Sequence, residues 1–147
     1  MTIRELAIQA YETDQQLTKA AKEAFEFAKV NGLILEEDWS DDDEHKWVPS
    51  KRSWQYTGYE IGKDGLDIKG EVYAGCSEYD YCHIYVPYES FNNLEAWAAQ
   101  KKAEYAEKER QRAERVAARK AQEIAEAEER EKARYLKLKE KYEGAKV

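Results

Sequence analysis

The side chains suited to metal or nucleophilic chemistry are few: Cys76, Cys82, His83 and the distant His45, with Ser77 and Asp80 between the cysteines. Structural zinc sites draw on close pairs of the Cys-x2–4-Cys or His-x3–5-His kind. Here five residues separate the cysteines, and strand alternation points Cys82 and His83 to opposite faces. The expected roles are therefore an ordinary core cysteine and an exposed histidine, with no metal bound. Ser77, Asp80 and His83 are close in sequence, but a catalytic triad needs three groups converging in space. The chain carries no phosphate-binding glycine loop, nucleophile elbow or HExxH pattern. No catalytic residue and no cofactor are expected, which points to binding rather than turnover.

Two groups of residues suit binding. Between positions 36 and 44 seven carboxylates surround Trp39, and His45, Lys46 and Trp47 follow. The common outcome for such a charge run is a solvated loop. The functional alternative is an anchor loop, with aromatic residues for buried contact and carboxylates for a basic cleft. The candidate protein-binding residues are Asp38, Trp39, Asp41, Asp42, Asp43, Glu44 and Trp47. The second group is a tyrosine-rich sheet face of Tyr73, Tyr79, Tyr81, His83 and Tyr85, with Trp54 and Tyr56 as further members. Covered by Trp97 and Leu94, this face would be a second small core, the more ordinary outcome. Left open, it would be a recognition platform or, through Tyr73, Tyr81, His83 and Tyr85, a face for a nucleotide-like ligand.

Composition sets bounds on both readings. The 147 residues are 37% charged with a net charge of −7, yet include 4 Trp and 11 Tyr, too many aromatics for a disordered polyelectrolyte. Residues 1–100 hold 9 basic and 20 acidic side chains, a balance of −11, and residues 101–147 hold 15 and 11, a balance of +4. An acidic head disfavours direct nucleic-acid binding, which needs clustered Lys and Arg, and suits a protein partner with a basic surface. The first ten residues lack the apolar run of a signal peptide, and no stretch approaches a membrane span. A cytoplasmic location with reduced thiols and no membrane partner is expected.

The elements that must position these residues read as follows. Thr2 and Glu5 form a capping box, and a helix with Leu6, Ala10, Leu17, Ala21, Ala24 and Ala28 near helical spacing runs to about Lys29. Asn31-Gly32 stops it. Leu33-Ile34-Leu35 reads as a short strand running straight into the acidic loop. Three further strands at 54–61, 66–74 and 79–86, joined by tight turns at 62–65 and 75–78, make an antiparallel meander. In the middle strand Leu66, Ile68, Gly70, Val72 and Ala74 point one way, matched next door by Cys82, Ile84 and Val86. The phase of Trp54 and Tyr56 opposes that of Tyr59 and Ile61, so a bulge is expected at Gly58. Asn92 with Glu95 caps a final helix, rich in Ala, Glu, Lys and Arg and free of Gly and Pro from Lys101 to Gly144. Pairs such as Glu104–Lys108, Glu126–Arg130 and Glu128–Lys132 support it, and about 45 residues would reach roughly 65–70 Å. Its seam is incomplete: Ala117, Ile124 and Leu138 fit a heptad phase that Glu131 interrupts. A homodimer through this helix stands level with a solitary charged helix or one packed on a partner.

The segments GLDIKGEVYA and YDYCHIYVPYESF, followed by a charged helix closing on ARYLKLKEKYEG, resemble small accessory proteins of tailed bacteriophages in the order of their parts. That resemblance spans roughly the second half of the chain and has no counterpart for the acidic loop. It implies a role in the phage–host contest, such as blocking a bacterial defence complex in the host cytoplasm, and assigns no site residues. Together these readings give an α+β fold: an N-terminal helix, an antiparallel meander of three or four strands and a long charged C-terminal helix. The division expected is an acidic head over 1–100 and an extended helix over 101–147. Its function would be a non-enzymatic interaction module, with a ligand-sequestering protein and a helix-based assembly protein as the alternatives.

Overall fold

A computed structural model describes residues 1–38 and 46–144. Helix α1 (Ile3–Val30) starts as the capping box requires: the Glu5 amide donates to Thr2 Oγ1 at 3.2 Å and the Thr2 amide donates to Glu5 Oε2 at 2.9 Å. It ends in a paired-bond cap in which Leu33 N–H donates to Ala28 O (2.9 Å) and Gly32 N–H to Lys29 O (3.2 Å). Gly32, at φ +69°, takes the left-handed position that this cap needs and that glycine adopts without strain. The cap delivers Leu33 and Ile34 into the core, where both are buried. α1 is one helix, uninterrupted at Thr13, whose hydroxyl donates to the Gln9 carbonyl (2.8 Å).

The expected strand at Leu33–Leu35 is displaced. Strand β1 is Leu35–Asp38, and it pairs antiparallel with β2 (Lys46–Pro49), which sequence reading had left without a strand. Glu36 and Glu37, read as loop, belong to β1. The reason lies across the ladder: Glu36 faces Val48, Glu37 faces Trp47 and Asp38 faces Lys46, and such pairs support a strand whose own residues show no apolar alternation.

The meander is the principal sheet, in the order β3 (Gln55–Ile61), β4 (Gly65–Gly75), β5 (Glu78–Pro87). A register shift between Tyr56 and Gly58 places the expected bulge at Thr57. β4 and β5 close through Cys76 and Ser77, both at positive φ (54° and 61°), the geometry of a two-residue turn matched to strand twist. Leu66, Ile68, Val72, Ile84 and Val86 are buried on one face, as the alternation predicts, whereas Ala74 at the strand end is exposed.

Against that face lie Ala21, Ala24, Phe25 and Ala28 of α1, all fully buried. The three alanines let the helix approach closely, and the Phe25 ring takes up the room left by a missing side chain. A Cβ on Gly70 would stand 2.4 Å from Phe25 Cζ. Phe25 also meets Tyr56 edge-on, with ring centroids 6.1 Å apart. Trp54 is buried and Tyr56 packs against the same core, so neither belongs to the outward tyrosine face on which the sequence had placed them.

After a 3-10 turn at Tyr88–Asn92, helix α2 (Leu94–Gly144) begins. Its cap is Asn93, one residue later than expected, with Oδ1 accepting from the Ala96 amide at 3.1 Å. Leu94, Trp97 and Ala98 join the same core as α1 and do not form a second one over the tyrosines. The chain divides into two units, Met1–Tyr105 and Ala106–Val147, five residues beyond the expected boundary because Tyr105 still packs on the head core.

The second unit is wholly helical over its described residues and laced with local ion pairs. Arg110 bonds Glu107 at 2.6 Å and also Glu114, Arg112 bonds Glu109 at 2.7 Å, and the expected Glu126–Arg130 pair stands at 3.5 Å. Glu104, expected to reach Lys108, instead accepts from Gln100 and Lys101. No helix among the described residues is long and apolar enough to cross a membrane.

Because Gly70 is occupied from above, Gly70→Ala is expected to lower stability by about 1–3 kcal/mol through overpacking. Thermal denaturation should show the loss, and Phe25→Leu in the same chain should restore part of it by freeing space.

Candidate functional site

The two binding surfaces read from the sequence fare differently. Trp39, Asp41, Asp42, Asp43 and Glu44 lie outside the described residues. The flanks of that segment are placed: Asp38 ends β1, and Trp47 stands 56% exposed on β2. The tyrosine face is open. Tyr73, Tyr79, Tyr81 and Tyr85 are 60%, 47%, 70% and 47% exposed, which overturns the more ordinary expectation of a covered second core. They share the outward phase of β4 and β5 because the alternate residues are committed to α1. Tyr73 meets Tyr79 edge-on at 5.5 Å.

Between β5 and the β1–β2 hairpin is a cleft of about 870 Å³ that joins the two surfaces. Its lining includes Trp47 from the hairpin, Tyr81 and His83 from the tyrosine face, and a charged knot formed by Glu36, Arg52 and Asp80. Arg52 donates from Nη1 to Asp80 Oδ2 at 2.7 Å and from Nε to Glu36, while its guanidinium lies 5.1 Å from the Trp54 ring centroid. Hydrogen bonding to Asp80 and then to Glu36 raises the Arg52 pKa above its usual value despite partial burial. Trp54 is anchored in turn by donating from Nε1 to Ser50 Oγ at 2.9 Å. Sequence reasoning missed Arg52. Its partners lie 16 and 28 residues away, and nothing in a local window marks a contact of that span.

The remaining chemistry-bearing residues are each engaged separately. His83 Nδ1 lies 3.0 Å from Asp67 Oδ2, and Asp80 is held by Arg52, so Ser77, Asp80 and His83 are not gathered into a relay. Cys82 and His83 do face opposite sides of β5: His83 is exposed, and the half-buried Cys82 lies against the core. Among the described residues no cluster of three or more His, Cys, Asp or Glu could hold a metal ion. Burial pushes the Cys82 thiol up to about 11, against a smaller opposing contribution from its hydrogen bond to the Gly70 backbone.

Comparison with known proteins gives no matching family model, no matching curated protein and no matching solved structure.

At pH 8 Cys82 stays protonated, since that lies well below its raised pKa, and thiols react as thiolates. A disulfide reagent should therefore modify exposed Cys76 first, Cys76→Ser should remove the fast phase, and Cys82 should gain reactivity only as pH climbs toward 11. Equal rates for both thiols at pH 8 would contradict this placement.

Proposed function

We propose that this chain is a non-enzymatic protein–protein interaction module whose acidic head occupies a basic surface on its partner. The observation that carries the reading is charge segregation: −11 over residues 1–100 and +4 over the rest. The exposed aromatic residues beside that charge, Trp47 and Tyr81, support it by supplying contact area at low entropic cost. Carboxylates in excess repel phosphate, so the partner is a protein that itself binds nucleic acid rather than the nucleic acid. A phage-encoded inhibitor acting in the host cytoplasm, which fills the groove of a nucleic-acid-acting defence complex, is the biological role that fits this chemistry. Such steric and electrostatic occupation needs no cofactor.

A nucleotide-sequestering role for the tyrosine face fits less well. The cleft next to that face offers one guanidinium, Arg52, and two carboxylates already neutralise it. The assembly role through α2 draws on one feature, the exposed Tyr135, Leu138 and Tyr142 at i, i+3, i+7 spacing. Two turns of apolar residues fall short of the several heptads that a two-stranded seam requires.

The test is affinity capture from bacterial lysate with and without nuclease. The full chain is compared with a variant in which Asp41, Asp42 and Asp43 become Asn and Glu44 becomes Gln. The expected outcome is a nucleic-acid-binding protein retained after nuclease and released by high salt. Its affinity for the variant should fall by about tenfold or more, with a shallower salt dependence. Unchanged affinity for the variant would contradict the reading.

A further inference from the structure

We propose that the cleft beside β5 accepts an extended basic segment of the partner as an added strand. This rests on the acidic-module reading for the partner's charge and adds the mode of recognition. In the order β3-β4-β5, β5 is an edge. It is ten residues long, at the long end of the usual range, and one flank of its backbone has no neighbouring strand among the described residues. An edge of that length is a template for pairing unless charge, proline or a covering element blocks it. Proline appears only at the last position, Pro87, and over residues 80–83 the edge borders the cleft.

The cleft runs beside Tyr81, Cys82 and His83 and is walled on the opposite side by the 33–37 segment and Trp47. An added strand would send alternate side chains to opposite sides of the sheet. One set would enter the floor beside Cys82, Trp54 and Leu33, which suits apolar residues. The other set would lie along the exposed side by Tyr81 and His83.

Charge selects the occupant. The lining holds Glu36, Glu37 and Asp80 against the single Arg52. Arg52 is satisfied by Glu36 and Asp80, which leaves Glu37, exposed on the wall, to meet a cation. Lys or Arg alternating with apolar residues fits this lining.

The probe is an acetylated, amidated heptapeptide alternating lysine with valine, titrated into the isotope-labelled full chain and followed by amide NMR. The expected result is shifts at residues 80–83, with slowed solvent exchange for the alternate amides there that point away from β4. Two further peptides carry N-methyl groups on the lysines or on the valines, removing donors from one edge or the other at constant charge. A strand pairs through one edge, so these two should differ in affinity by about tenfold. Glu37→Lys should weaken the parent peptide by about fivefold. Equal binding of all three peptides overturns strand addition, as does a shift pattern away from β5 or a dimer formed through it. If no peptide binds while egg-white lysozyme, a folded basic protein, still does in low salt, strand addition fails and the acidic-module reading stands. Loss of both overturns both.

Discussion

The Phe25 ring lies where a side chain at Gly70 would stand, and this contact between α1 and the sheet decides which way every residue of β4 and β5 points. Alternation in a strand is binary. Once Gly70, Ile68 and Leu66 are turned toward α1, Cys82, Ile84 and Val86 must turn with them, and Tyr81, His83 and Tyr85 must turn away. A register slip by one residue would bury the tyrosines and expose the aliphatic row, so the apolar pattern enforces the outward face. The exposed tyrosines are thus a consequence of how the helix is seated.

The charged residues of the head act on a second level. Arg52 ties Glu36 of the small hairpin to Asp80 at the start of β5, and the cleft lies between the two elements it links. An exposed pair of this kind contributes only about 0.2–1 kcal/mol, so its effect is positional: it fixes the wall opposite the β5 edge. The same arrangement uses up the only guanidinium in the lining. What remains outward is negative and aromatic, a combination suited to a basic protein surface and poor for phosphate.

The parts of the fold that were legible in the sequence rest on short-range rules. The Thr2–Glu5 box, the Asn31-Gly32 stop, the bulge beside Gly58 and the inward set on β4 each involve residues within a few positions of one another, and each matches the structure but for Ala74 at the end of β4. What escaped depends on partners far along the chain. β1 is a strand because Lys46–Pro49 pairs with it, and neither segment announces itself alone. Arg52 matters through Glu36 and Asp80. Trp54 and Tyr56 were counted with the wrong face because the extra residue at Thr57 absorbs the phase change: Tyr56 opposite Gly70 and Tyr59 opposite Ile68 both pack on the core. The candidate site was half visible: Tyr81, His83 and Trp47 were named, but the cleft that joins them is a product of tertiary packing.

The claim on which the rest depends is that the sheet has one buried face and one open face of tyrosines. Nitration with tetranitromethane, mapped by peptide mass spectrometry on the native chain, tests it directly because the reagent attacks exposed phenolates. Tyr73 and Tyr81 should be modified early, together with the exposed Tyr11, Tyr135 and Tyr142, while Tyr56, packed on Phe25 and with its pKa raised by burial, should resist until the protein unfolds. Rapid nitration of Tyr56 with protection of Tyr73 and Tyr81 would mean that the sheet is seated the other way round, and the proposed binding surface would not exist.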